Sequence, residues 1–192
     1  MKNERDRKSI RLRNYDYSKP GFYFVTICTY GREESFGNIV DNKMVVNDIG
    51  SIIESCWLKI TEHFPFTKLD TYQIMPNHMH GIIEIMPNAA GACIEGVQYI
   101  EPLQPEIKPQ QNKYQKTIPK SICSIVRTYK GAVTRIVRKT EFGMIIWQRN
   151  YHDHIIRDKF ELERIRKYIR MNPERWYEDR NNPKNFKSKQ KC

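Results

Sequence analysis

TKLDTYQIMPNHMHGIIEIM, residues 67–86, is the stretch on which the fold turns. Its first nine residues mix β-branched and aromatic side chains, Pro76-Asn77 interrupts them, and a second β-rich run starts at His78. Proline fixes its own φ and asparagine tolerates left-handed backbone, so the pair marks a tight turn and the stretch reads as two adjacent strands. Successive strand residues face opposite sides. His78 and His80 therefore share one face of the sheet, and Met79 points into the layer behind it.

Working outward, GFYFVTICTY at 21–30 has no breaker before Gly31 and reads as a buried strand. FGNIVDNKMVVND at 36–48 predicts a small hairpin turning at Asp41-Asn42. A helix follows, with Asp48 as its expected N-cap and Ile49, Ile52, Ile53, Cys56, Trp57 and Ile60 on its apolar face, ending near His63 to Pro65. Downstream, residues 88–118 have no sustained period and read as a long insertion. Residues 119–140 predict a basic helix, Met144 to Arg149 a short strand, and 159–171 a last helix. The order strand, helix, strand, strand, helix, strand specifies the α+β class: a ferredoxin-like βαββαβ antiparallel sheet with an additional C-terminal helix. The organisation is a basic arm over 1–19, one domain over 20–176 that includes the insertion, and a basic tail over 177–192.

The 192 residues suit a single core, and no apolar run approaches the roughly 18 residues of a membrane span, so a soluble intracellular protein is expected. Five scattered cysteines with no CxxC spacing argue against a disulfide framework or a cysteine zinc site. The net charge is +11, and it is clustered. Residues 1–19 hold seven basic and three acidic side chains, 119–140 six basic and none acidic, and 180–192 five basic and none acidic. Such clustering suits a polyanion. In SICSIVRTYKGAVTRIVRK, Ile122, Ile125, Val126, Val133, Ile136 and Val137 recur at helical spacing, which leaves Arg127, Lys130, Arg135 and Arg138 to meet phosphates.

Two imidazoles on one strand face form half of a divalent-metal site, the alternative being a pair of ordinary strand histidines. A second pair, His152-Asp153-His154, forces a choice. Both pairs on one ion would close it into a four-imidazole cage, whereas catalysis needs open positions, so His78 and His80 are the ligands expected and His154 a neighbour in the cleft. In the last helix, Asp158 and Glu161 form a capping-box pattern and Leu162, Ile165 and Ile169 a buried stripe. Tyr168 and Asn172 are four apart and share a face, and Pro173 puts Asn172 in the terminal turn.

With PNHMHGIIEI on a central strand, WQRNYHDHIIRD ahead of the last helix and KYIRMNP upon it, the sequence resembles the single-tyrosine HUH transposases. In that name U is the bulky residue between two histidines. Within them it is similar to the REP-associated tyrosine transposase branch, from about Pro20 to Trp176. The resemblance implies that Tyr168 is the nucleophile and that His78 and His80 bind Mg²⁺ or Mn²⁺ with Asn172 as third ligand. It further implies a substrate of single-stranded DNA carrying a hairpin beside the cleavage site, a homodimer, and a cytoplasmic, nucleoid-associated protein. Tyr151, beside the second histidine pair, is the rival nucleophile, and the 88–118 insertion departs from the family pattern.

The chemistry stands apart from the name. A phenol with pKa near 10 needs a polarised phosphorus, an in-line approach and a way to lose its proton. Attack would leave a 5′-phosphotyrosine and a free 3′ hydroxyl, and the retained ester energy lets a second DNA end reverse the step without ATP, in keeping with the absence of GxxxxGK[ST]. Tyr129, Trp147 and Tyr151 are candidates to stack on unpaired bases. Two rival readings remain: a non-catalytic single-strand binder of RRM-like fold, against which stands the lack of RNP aromatics on the would-be central strand, and a hydrolytic metallonuclease in which Tyr168 is structural.

Overall fold

The computed structural model describes residues 15–87, 118–140 and 146–186. The 88–117 part of the insertion, the first fourteen residues of the arm, the last six of the tail and the start of the Met144 strand lie outside the described residues. In chain order the elements are β1 (Gly21–Cys28), β2 (Gly37–Val40), β3 (Lys43–Val46), α1 (Asp48–Leu58), α2 (Ile60–His63), β4 (Thr67–Met75), β5 (His78–Ile85), α3 (Ile122–Val137), β6 (His152–Ile156), α4 (Lys159–Met171) and α5 (Pro183–Phe186). Four strands form one sheet in the order β4-β5-β1-β6, every neighbouring pair antiparallel. This is the split βαβ arrangement that the element order demanded, with β1 and β5 central.

Local chemistry accounts for most boundaries. The β2–β3 hairpin turns on Asp41 and Asn42, both at positive φ (49° and 60°), as their short polar side chains allow. Asn47, not Asp48, caps α1: its Oδ1 accepts from the Gly50 amide at 2.9 Å, while Asp48 is the first helical residue and sets its charge at the positive end of the dipole. For α4 the expected cap holds, Asp158 accepting from the Glu161 amide at 2.7 Å.

One strand is corrected. The fourth strand of the sheet is His152–Ile156; Trp147 makes an isolated bridge to Thr29. Apolar Ile146 and Trp147 look more strand-like than HDHII, but their hydrophobicity serves to plug the core. Trp147 packs edge-on against Phe36 and donates its indole N–H to the Lys130 carbonyl.

The two faces of the sheet are unlike. Behind it, Tyr23, Val25, Ile27, Met79 and Ile83 pack against α1 and α3 in the larger core. In front, Ile82, Phe22, Phe24 and Ile156 meet only the narrow Leu162–Ile165–Ile169 stripe of α4. Arg166 of α4 adds a two-pronged contact to Asp70 of β4, and that guanidinium holds the carboxyl down at about 2. Tyr129 and Trp147 are 2% and 8% exposed within the larger core, which removes both from the candidates for base stacking.

The back core also dictates Gly81. A Cβ there would lie 2.3 Å from Cζ2 of Trp57, a ring with no exposed surface, so only glycine lets α1 approach β5 this closely. Gly81→Ala should destabilise the fold by about 1–3 kcal/mol in urea unfolding, because either the ring or the strand must move. Unchanged stability would show that Trp57 yields freely.

Candidate active site

The site is built at the start of β5. His78 and His80 are buried, and their Nε2 atoms face each other at 3.0 Å. The other nitrogen of each ring is tied down: His78 Nδ1 lies 2.8 Å from Asn77 Oδ1 and His80 Nδ1 lies 2.9 Å from Thr26 Oγ1. The Asn77 amide nitrogen donates to the Arg32 and Asn181 carbonyls, which fixes its orientation and leaves Oδ1 only able to accept. His78 therefore carries its proton on Nδ1, and its Nε2 lone pair points inward. Thr26 can accept from His80 in the same way. Such partners for the non-ligating nitrogen are what orient imidazoles on a metal.

Burial pulls His78 down to about 3, with the Arg32 and Arg180 cations adding to the effect. His80 is pushed well below the ordinary imidazole range by burial and by His78 beside it. Both rings are thus neutral at pH 7, the form a metal requires.

A carboxylate stands beside the pair. Asp179 Oδ2 lies 3.9 Å from His78 Nε2, and one ligand atom from each of His78, His80 and Asp179 falls within 4.8 Å of the others. Asn172 is buried, and its Oδ1 accepts no hydrogen bond. A buried, unsatisfied carbonyl is costly unless something meets it. Two nitrogens 3.0 Å apart also match neighbouring corners of an octahedron with bonds of about 2.1 Å. The donor set fits a divalent cation.

Tyr168 completes the group from α4. Its hydroxyl is 3.3 Å from His80 Nε2, and Phe24 stacks on His80 while meeting the tyrosine ring edge-on. Burial and then the Asp179 charge raise the phenol above its usual value, and Asn172 and Arg180 oppose them. Phe24, Tyr168, Asn172, Asp179 and Arg180 line a cleft of about 770 Å³.

The structure brings together His78, His80, Tyr168 and Asn172. His154 sits at the rim with its Nε2 on Glu161 at 2.8 Å. Tyr151 instead packs against the back core. The α3 cations lie on that back side too: Lys130 donates to the Gln148 and Arg149 carbonyls, burial bringing its amine to about 8, and it shares with Arg135 and Arg138 a shallow groove of about 700 Å³. Arg127 lies exposed on the same helix.

Asp179 is the residue the sequence reading missed, because it falls in the stretch assigned to a basic tail. A strap holds it: Trp176 packs beside His78, Asn182 Nδ2 donates to the Trp176 carbonyl, the Asn181 amide donates to Asp179 Oδ1, and Asn77 clasps Asn181. The signal available was WYEDRNNP itself, where two aromatics and an Asn-Asn-Pro turn are out of place in a solvated tail.

The chain is 42% identical over 173 residues to an uncharacterized protein of Haemophilus influenzae, the match covering 90% of this chain and 91% of that one. It is 25% identical over 164 residues to a putative REP-associated tyrosine transposase of the same organism, covering 84% and 76%. Its fold matches a REP-associated tyrosine transposase solved bound to a REP hairpin, with a TM-score of 0.53 at 18% identity over 85% of this chain and 72% of that one. A putative transposase from Deinococcus radiodurans R1 gives a TM-score of 0.44 at 16% identity over 83% and 95%, too distant to carry an argument. No protein-family model matches the chain. The resemblance drawn from the motifs is upheld. Among the described residues no helix is long and apolar enough to cross a membrane.

The buried imidazoles predict a pH dependence. Folding lowers their pKa values below the unfolded value of about 6.5, so below that pH the unfolded chain binds more protons than the folded one. Their stabilising effect is complete above about pH 6.5 and is lost as pH falls. Urea unfolding at pH 5.5 should give a stability about 1–3 kcal/mol below that at pH 7.5, at up to about 1.4 kcal/mol per imidazole per unit. Equal stability at the two values would mean that the rings are solvated.

Proposed function

We infer that the chain, which belongs to one family with the Haemophilus protein that matches it along nearly its whole length, is kin to the REP-associated tyrosine transposases. From that premise we propose that it is a metal-dependent single-stranded DNA endonuclease and strand transferase that works through Tyr168. The observation that carries this is the 3.3 Å between the Tyr168 hydroxyl and His80 Nε2, beside the point where His78, His80 and Asp179 converge. A tyrosine with a merely structural role has no need of that address.

His78, His80 and Asn172, with Asp179 beside them, would hold Mg²⁺ or Mn²⁺, whose charge draws electrons from the scissile phosphate. Tyr168 Oη then forms a bond to phosphorus as the bond to the 3′ oxygen breaks. The phenol proton leaves to water in the open cleft and the departing oxygen takes one up, giving a 5′-phosphotyrosine and a 3′ hydroxyl. Phe24 keeps the phenol and the His80 ring at fixed separation, which supplies orientation. Every one of these groups comes from one chain. Pairing of two copies, as the resemblance implies, would serve to bring two DNA ends together rather than to complete the site. Arg127, Lys130, Arg135 and Arg138, behind the sheet, would bind DNA flanking the cleavage point, including a hairpin stem such as the solved relative holds.

The test is a covalent adduct. Full-length protein incubated with Mn²⁺ and a single-stranded oligonucleotide flanking a hairpin should give a denaturation-resistant protein–DNA species, absent in Tyr168→Phe and retained in Tyr151→Phe. Multiple-turnover cleavage without an adduct would favour a hydrolytic metallonuclease, and binding without cleavage a non-catalytic module. His78→Ala, if folded by circular dichroism, should lose cleavage yet keep most DNA affinity, because phosphate contacts elsewhere dominate binding.

Metal binding is predicted independently of DNA. Mn²⁺ at about 100 times its Kd should raise the stability of the wild type by about 2.7 kcal/mol in thermal or urea unfolding, and should do little for His78→Ala. An equal gain in both proteins would move the metal elsewhere.

A further inference from the structure

The cleft does not end at Tyr168. It runs along the exposed side of α4 to the strap, and its walls carry Arg164, Lys167, Arg175 and Arg180 above a floor that includes Phe24. Arg164 lies one turn before Tyr168 on the same helical face, Lys167 lines the cleft from the adjoining side of the helix, and Arg175 and Arg180 line it beyond the end of α4. These cations are distinct from the α3 set, which lies on the helix packed behind the sheet.

Arg180 stands out among them. It directly follows Asp179, whose carboxylate and carbonyl are held by the Asn181 amide and the Asn185 side chain, so its backbone is fixed beside the candidate metal ligands. It lines the cleft together with Tyr168, Asn172 and Asp179.

Resting on the reading above, we propose that this cleft seats the unpaired nucleic-acid strand and that Arg180 clamps the phosphate facing Tyr168. A guanidinium grips two phosphate oxygens in one plane, which orients the group as well as neutralising it. Charge spreads over the non-bridging oxygens as Oη bonds to phosphorus and the 3′ oxygen departs, and a donor fixed at that position stabilises it there most. The strand is unpaired because the imidazoles lie recessed beneath Phe24 and Tyr168. A strand must bend in to meet them, and a cationic groove floored by an aromatic ring is suited to that.

Two measurements decide it. With a fluorescent, unstructured oligodeoxynucleotide in anisotropy titrations over a salt series, Arg164→Ala/Lys167→Ala should weaken binding and flatten the slope of log K against log salt by about one to two. An unchanged affinity and slope would overturn the strand path. In single-turnover adduct formation, Arg180→Ala should slow the rate by about 100-fold at saturating DNA, and Arg180→Lys should recover only part of it. A wild-type rate in Arg180→Ala, or full recovery by lysine, would overturn the clamp. If the wild-type protein forms no adduct at all, the transesterification reading fails and the clamp fails with it, while the salt slopes still decide the strand path.

Discussion

Two neutral imidazoles, sealed in the front layer of the sheet with Nε2 facing Nε2, are the constraint around which the rest is arranged. Buried polar nitrogens are costly unless each is satisfied. The chain meets that cost in the Pro76-Asn77 turn, which supplies the partner of His78, and in Thr26 on the neighbouring strand, which supplies that of His80. Antiparallel register makes the second of these automatic, since Thr26 lies directly opposite His80. The two Nε2 atoms are left facing each other, and Asn172, whose buried Oδ1 accepts no hydrogen bond, lines the adjoining cleft.

The sheet can carry this burden because its faces are unequal. The back face buries large side chains against two helices and supplies most of the cohesion. The front face needs only the narrow stripe of α4, supplemented by the Arg166–Asp70 contact, and the area left over is where polar chemistry is lodged. Gly81 shows the two faces acting together. Its missing side chain admits Trp57 from behind, and the strand so positioned presents His80 in front.

How much of this was legible in the sequence depended on whether the signal was local. Alternation in HMHGIIEI told which residues share the histidine face, and i, i+4 spacing put Tyr168 with Asn172, because each rests on the geometry of a single element. The features that escaped are tertiary. HDHII reads poorly as a strand because His152 and His154 face a cleft, while apolar Ile146 and Trp147 read well as one although they plug the core. Tyr129 and Trp147 look available for stacking until α3 and the segment at 146–147 are docked together. Asp179 could not be assigned from its neighbours in the sequence, since its place is set by Asn77, about a hundred residues earlier.

The strap gives the site its last property. Burial and the Asp179 carboxylate keep the Tyr168 phenol protonated, while Asn172 and Arg180 pull the other way. A phenol held in that balance stays protonated at neutral pH. A cation held among His78, His80 and Asp179 would offset the Asp179 charge and leave burial as the main influence keeping the phenol neutral. Because Asp179 and Arg180 are consecutive on one rigid turn, the brake and the counter-charge cannot move apart. On the proposed reading, the acidity of Tyr168 would therefore respond to the charge that enters the cleft beside it.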